Sequence, residues 1–169
     1  MQYQISEIHN LRARRRWHER FRRAYDGECA PFNLSMISGN VRFFVASKDG
    51  KEVGYIRIDD KSNIFAGIAN APVWNIGEAY VKPGYRSKGV LRALIQYVVE
   101  HCNVEMLHID IDRYVENAAY YRALGFNRIQ KGSGLQLVWI FRQQFADFVS
   151  KIGPMAENDN ENLKIRSVS

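Results

Sequence analysis

Residues 73 to 112 constrain the fold more than any other stretch of the chain. Val73 to Val81 reads as a strand, a tight basic loop follows, and Ser87 to about Cys102 reads as a helix. Glu105 to Asp112 then alternates hydrophobic and polar residues as a second strand. Leu91, Leu94, Ile95, Val98 and Cys102 recur at helical spacing on one face. A strand, a helix and a strand in this order return the second strand parallel to the first through a right-handed crossover. Ligands of open α/β sheets collect at the carboxyl ends of such strands, which is where residues 86 to 91 fall. A helix start leaves backbone N–H groups without partners and carries partial positive charge. Arg86 and Lys88 add full charges there, and Gly89 removes a side chain. The junction therefore has the chemistry of a phosphate site.

The rest of the chain supplies a sheet for that crossover. Gln2 to Glu7 alternates enough for a short strand, and Asn10 can cap an arginine-rich helix that stops at Asp26-Gly27. Ile8, Leu11, Trp17, Phe21, Ala24 and Tyr25 give that helix an imperfect apolar stripe. Residues 28 to 40 are irregular or a short second helix. Val41 to Ser47 and Glu52 to Asp59 read as strands around Asp49-Gly50, a hairpin signal. Residues 60 to 72 read as a longer turn. Val115 to Leu124 reads as a helix, with Gly125 at its C′ position and Phe126 packing back on Tyr121. Asn127 to Gln130 and Leu135 to Gln143 make a last pair of strands. The order β-α-β-β-β-α-β-α-β-β predicts one α/β domain over residues 1–149, a mixed sheet of about seven strands with helices on both faces. Residues 150–169 turn polar and read as a flexible tail.

Composition bounds the function. With 169 residues, 46% of them apolar, the chain can bury a core as a single domain. No apolar run approaches the roughly 18 residues of a membrane span, and the N-terminus lacks a signal-peptide layout. Cys29 and Cys102 are isolated and read as small half-buried hydrophobes, which fits a reducing cytoplasm. No His, Cys and carboxylate cluster has metal spacing, so no metal is predicted.

The loop Arg86-Ser87-Lys88-Gly89-Val90-Leu91 resembles the coenzyme A pyrophosphate loop of the Gcn5-related N-acetyltransferases (GNAT), whose pattern is Gln/Arg-x-x-Gly-x-Gly/Ala. The first two fixed positions match, and Leu91 stands in place of Gly or Ala. Tyr80-Val81-Lys82-Pro83 looks like the end of that family's fourth strand. Asn117 to Phe126 resembles its helix ending in Tyr-x-x-Leu-Gly-Phe. The resemblance runs from about Val41 to Phe141. It implies acetyl-CoA as co-substrate, held at Arg86, Ser87, Lys88, Gly89, Val90 and Leu91. It also implies a pantetheine arm paired with the backbone of Ala79, Tyr80 and Val81. Asn117 would reach the coenzyme arm. Tyr121 would donate a proton to the departing thiolate, since a phenol with a reference pKa of about 10 is protonated at neutral pH. Tyr120 is a packing residue on this reading. If Leu91 points into the core, the helix N–H groups stay free; if it points outward, the loop is damaged and the chain is a non-catalytic relative.

An attacking amine must be neutral, so a base is needed directly or through water. Glu78, on the strand that lines the cleft, is the candidate; the alternative is an exposed strand glutamate paired with a nearby cation. Asp110, Asp112 and His108 on the next strand are reserves, and His101 decorates a helix end.

The net charge of +6 is concentrated in residues 12 to 23, which hold Arg12, Arg14, Arg15, Arg16, Arg20, Arg22 and Arg23 against Glu19 alone. Setting those aside, 17 basic residues face 17 acidic ones, so the chain is a neutral domain carrying one cationic helix. That helix is either a solvated face with Trp17 and Phe21 in the core, or a nucleic-acid surface with those rings as stacking groups. Three functions follow. The first is acetyl transfer to a small-molecule or protein amine. The second is acyl transfer to a nucleic-acid-linked acceptor, and the third is a binding module without chemistry. The strand at Leu135 to Phe141 could also pair across a homodimer.

Overall fold

The computed structural model describes residues 3–24, 29–66, 71–112, 117–126, 128–131 and 135–152. The expected stop at Asp26-Gly27 and the chain beyond residue 152 lie outside these. In chain order the elements are β1 (Gln4–Glu7), α1 (Leu11–Ala24), a 3-10 turn (Leu34–Ile37), β2 (Val41–Lys48), β3 (Lys51–Asp60) and α2 (Ser62–Phe65). Then come β4 (Val73–Val81), a second 3-10 turn (Pro83–Tyr85), α3 (Val90–His101), β5 (Met106–Asp112), α4 (Asn117–Ala123), β6 (Arg128–Lys131), β7 (Leu135–Phe141) and α5 (Arg142–Ile152).

The strands form one seven-stranded mixed sheet in the order β1-β2-β3-β4-β5-β7-β6. Only β4 and β5 pair in parallel among the described strands, as the crossover through α3 predicts. Asp49 and Gly50 both take positive φ, 50° and 72°, so the β2–β3 hairpin closes in the geometry that Asp-Gly favours.

The sheet has a different core on each face. On one, α3 sets Leu91, Leu94, Ile95 and Val98 against Ile56, Ile58 and Ile76, and Tyr121, Phe126 and Phe145 join the same cluster. On the other, α1 buries Trp17 among Ile8, Phe43, Val45 and Tyr55. Gly54 lets α3 approach, because a Cβ there would lie 2.8 Å from Val90 Cγ1.

Some boundaries differ from the sequence reading for local reasons. Helix α3 starts at Val90 rather than Ser87, because Ser87 and Gly89 hold φ of 58° and 75° and break the helical path. The last strand ends at Phe141 instead of Gln143, and α5 follows. Phe145, Phe148 and Val149 in α5 pack at helical spacing against the core, a stripe masked by polar neighbours. Short α2 stands where a turn was expected, its start held by Ser62 N–H donating to Asp60 Oδ1 at 2.9 Å.

Candidate active site

The opening in the sheet is built by β4. Its pairing with β5 is confined to Val73–Met106, Trp74–Leu107 and Asn75–His108. Beyond Asn75, β4 pairs only with β3, and β5 only with β7, among the described residues. A register shift at Arg57/Ile58 makes Gly77 an extra residue in β4, so Glu78 lies opposite Arg57 and Ile76 opposite Ile58. A bulge bends the strand that carries it. Here it coincides with the place where the two parallel strands separate. The β4 edge at Ala79, Tyr80 and Val81 thus has no strand paired on its β5 side among the described residues, and Val81 O there accepts from Arg86 Nε.

At the far end of that edge stands the start of α3. Gly89 is its N-cap, left-handed and with no side chain to cap the helix. Ala93 N–H is the first to find a helical acceptor, Gly89 O at 3.0 Å. The N–H groups of Val90, Leu91 and Arg92 have no acceptor among the described residues. Arg86 donates from Nε to Val81 O (3.2 Å), and Lys88 from Nζ to Gly84 O (3.0 Å), so both charges are folded onto the loop. Tyr3 ties the loop to the first strand, donating its hydroxyl to Lys88 O at 2.7 Å. Leu91 is 6% exposed and packs in the α3 core. Its side chain leaves the helix start clear.

Glu78 is buried, 4% exposed, on the α1 face of the sheet. It is not the exposed strand glutamate of the alternative reading, although it is paired with a cation. Arg57 donates to Glu78 Oε1, and the Tyr55 hydroxyl donates to Oε2. His18 Nδ1 lies 2.7 Å from Oε1, and its Nε2 lies 2.8 Å from Ala30 O. A carbonyl oxygen can only accept, so Nε2 is the nitrogen that donates to Ala30 O. Arg57 continues the network to Asp59, with Nε 3.0 Å from Oδ1. Gly77 makes room for this pair, since a Cβ there would collide with the Arg57 guanidinium and with Asp59 Oδ2. Burial, and then the Glu78 charge, push the Tyr55 phenol well above its ordinary range and keep it a donor. Asn75 is 8% exposed, and its Oδ1 has no hydrogen-bond partner among the described residues. By strand alternation, corrected for the bulge, it faces the same side as Glu78.

Tyr121 lies in the last turn of α4 and is packed in the core on the α3 face of the sheet. Gly125 (φ 96°) closes that helix as anticipated. Phe126 N–H donates to Tyr121 O at 3.0 Å, and Gly125 N–H to Arg122 O at 2.9 Å. Phe126 meets the Tyr121 ring edge-on, centroids 5.6 Å apart, so the tyrosine is 8% exposed and fixed in direction. Tyr120 is 36% exposed. Asn117 is the first residue of α4; its side chain and that of Asp112 lie outside the described residues. His108 is buried, Asp110 exposed, and His101 stacks on Tyr97 with centroids 4.2 Å apart at the end of α3. Among the described residues no three His, Cys, Asp or Glu side chains are grouped to hold a metal ion.

Sequence reasoning missed His18, Tyr55, Arg57 and Asn75. A signal for the first existed: Arg14, Trp17 and His18 stand at i, i+3 and i+4, and all three are buried. Tyr55 and Arg57 alternate onto one face of β3.

The arginine helix is more structural than its composition implies. Asn10 caps it as expected, accepting from Arg12 N–H at 2.9 Å and Ala13 N–H at 3.1 Å. Arg14 is buried and donates to Ile8 O at 2.7 Å. Arg16 pairs with Glu52 at 2.7 Å, Arg22 with Glu19 at 3.5 Å, and Arg20 lies over the Trp17 ring. Trp17 is fully buried and stacks on Tyr55, so it is not an exposed stacking group.

A sheet split at a bulge, beside an uncapped helix start, is the frame on which the comparisons with known proteins bear. The GNAT acetyltransferase domain model matches residues 39–128, more than half of the chain. The chain belongs to the GNAT acetyltransferase family. No curated protein sequence matches it. Among solved structures it is similar to the aminoglycoside acetyltransferase meta-AAC0020 from an uncultured soil metagenomic sample, in complex with sisomicin. The TM-score is 0.63 and the identity 15%, over 78% of this chain and 92% of that one. It is similar to the aminoglycoside N-acetyltransferase AAC(6')-Iy in complex with CoA (TM-score 0.57, identity 20%, coverage 77% and 96%). It is also similar to the ribosomal-protein-S18-alanine N-acetyltransferase from Escherichia coli (TM-score 0.54, identity 17%, coverage 82% and 91%). At these identities the likeness is one of fold. No helix among the described residues is long and apolar enough to cross a membrane.

Proposed function

We propose that this protein is an acetyl-CoA-dependent N-acetyltransferase that moves an acetyl group to the amine of a small-molecule or protein acceptor. The observation that carries the reading is the unpaired β4 edge from Ile76 to Val81 leading to the open N–H groups of Val90, Leu91 and Arg92. The pyrophosphate sits on those N–H groups and the left-handed Gly89 turn, within reach of Arg86, Ser87 and Lys88. The amides of the pantetheine arm pair with Ala79, Tyr80 and Val81, and Asn117 approaches the arm from α4. This holds the thioester in the opening between Glu78 and Tyr121.

The acceptor amine enters from the α1 face, the side of the sheet on which Glu78 stands. Its nitrogen forms a bond to the thioester carbonyl carbon, and the carbon–sulfur bond then breaks. The amine proton goes to Glu78, directly or through water. Three groups already engage that carboxylate, but its two oxygens offer about four acceptor sites, leaving one for the proton. Tyr121 protonates the departing thiolate. Holding both reactants in one opening supplies much of the remaining acceleration. The burial of Leu91 supports a helix start open to the coenzyme over a module without it.

Calorimetric titration with acetyl-CoA, and separately with coenzyme A, tests the reading. Micromolar binding followed by coenzyme A release with amine acceptors is the expected result. No binding at millimolar acetyl-CoA would overturn it.

A further inference from the structure

Three of the five large hydrophobic side chains exposed among the described residues lie together. Leu11 is 52% exposed, Leu34 81% and Ile37 37%. With Phe32, Arg12 and Arg15 they line a groove of about 420 Å³ between the start of α1 and the 3-10 turn at Leu34–Ile37. The fold spends nothing on these aliphatic groups, which belong to neither core. The cations are equally unspent. Arg12 and Arg15 are exposed, and neither has a carboxylate within ion-pair distance among the described residues. Arg15 lies over the Phe32 ring, 5.8 Å from its centroid. Both sit in the N-terminal part of α1, whose first turn holds no acidic residue, although the helix dipole there favours anions. A bound carboxylate would meet two guanidinium groups and the positive end of the helix together.

The groove also leads to the site. Phe32 packs on His18 with centroids 5.8 Å apart, and His18 holds Glu78. Arg15 and His18 are three residues apart on α1, about 4.5 Å along its axis.

We propose that this groove docks an acidic, apolar peptide segment, the part of a protein acceptor that flanks its reactive amine. The identity of the amine as acceptor rests on the acetyltransferase reading; the docking does not. The chemistry favours a peptide over nucleic acid. The exposed large hydrophobic groups Leu11, Leu34 and Ile37 are aliphatic, the one ring in the groove, Phe32, is already engaged by Arg15 and His18, and Trp17 is buried. Aliphatic contacts spaced along a groove and carboxylates on its basic rim match a chain of Leu and Glu side chains.

The test is fluorescence anisotropy with the full chain and no acetyl-CoA. The probes are a labelled Leu/Phe/Glu peptide, the same peptide with Lys for Glu, the same with Ser for Leu and Phe, an RNA oligomer and an anionic detergent. The Leu/Phe/Glu peptide should bind at least about tenfold tighter than every other probe. Leu34→Asp, and separately the pair Arg12→Glu and Arg15→Glu, should each weaken it about tenfold while circular dichroism is unchanged. A residue 81% exposed has no packing to lose, and acidic residues suit the start of a helix. Equal binding of the peptides, indifference to both variants, or tighter binding of RNA or detergent would each overturn the proposal. Because acetyl-CoA is absent, these results stand apart from the coenzyme titration, and either reading can fail alone.

Discussion

The Arg57–Glu78 pair is where this structure makes its most demanding energetic claim. The side chains are 13% and 3% exposed, and Arg57 donates to Oε1 of the carboxylate. Taking two charges out of water is costly, and only their mutual contact offsets it. Removing one partner of such a pair costs about 3–5 kcal/mol because a buried charge is stranded, whereas removing both costs far less than the sum. The two single substitutions are not equivalent here. Glu78→Gln leaves Arg57 its contact with Asp59, 3.0 Å away. Arg57→Met strands Glu78 against His18 and Tyr55 and also deprives Asp59 of its cation. The arginine variant should therefore lie at the upper end of that range and the glutamine variant at the lower. In a domain of this size each kcal/mol is worth about 2–4 °C, so the single variants should lose roughly 6–20 °C in Tm. The double variant should recover at least about 2 kcal/mol relative to additivity. Urea unfolding of all four proteins at low temperature in the same sucrose concentration reads this cycle. Sucrose matters because total stability is only about 5–15 kcal/mol. Additive costs, with coupling under about 0.5 kcal/mol, would refute the argument and mean that His18 alone compensates the carboxylate.

Other outcomes follow from the same geometry. Tyr121→Phe should lower turnover about 100-fold while acetyl-CoA affinity stays within twofold, read by coenzyme A release and calorimetry; unchanged turnover would remove Tyr121 as the acid. Leu91→Ala should cost about 2–5 kcal/mol in thermal unfolding with little effect on coenzyme affinity, because its side chain lies in the core and away from the helix start. Glu7 is held below its ordinary pKa, first by the Arg42 hydrogen bond. Its stabilising contribution should be complete above the unfolded carboxylate pKa, about 4.3, and vanish as pH falls through the lower folded value. Arg42→Met should flatten that acid limb of the stability–pH curve, and an unaltered limb would reject the assignment.

Much of the fold was legible because it rests on local rules. Asp49-Gly50 specified its hairpin, Gly125 its helix end, and the stripe Leu91, Leu94, Ile95 and Val98 its buried face. Helix α5 was obscured because Phe145, Phe148 and Val149 stand among polar residues, with strand β7 running directly into it. The start of α3 was misplaced because left-handed Ser87 and Gly89 are turn geometry, which hydrophobic spacing does not report. Candidate site residues could be named from sequence where one element carries them in order, as in the loop from Arg86 to Leu91. The Glu78 environment was hidden because α1, β3 and β4 each contribute to it, from residues up to 60 positions apart.

The sequence by itself determined the order of elements, the parallel crossover and the basic, glycine-opened start of α3, since periodicity, turn chemistry and helix-end charge act over a few residues. Only the tertiary structure decided that Leu91 turns inward and that the arginine helix spends much of its charge on the protein. It also decided that Glu78 is buried among His18, Tyr55 and Arg57. Those outcomes depend on which distant side chains occupy the same space, and burial and charge pairing act through that proximity.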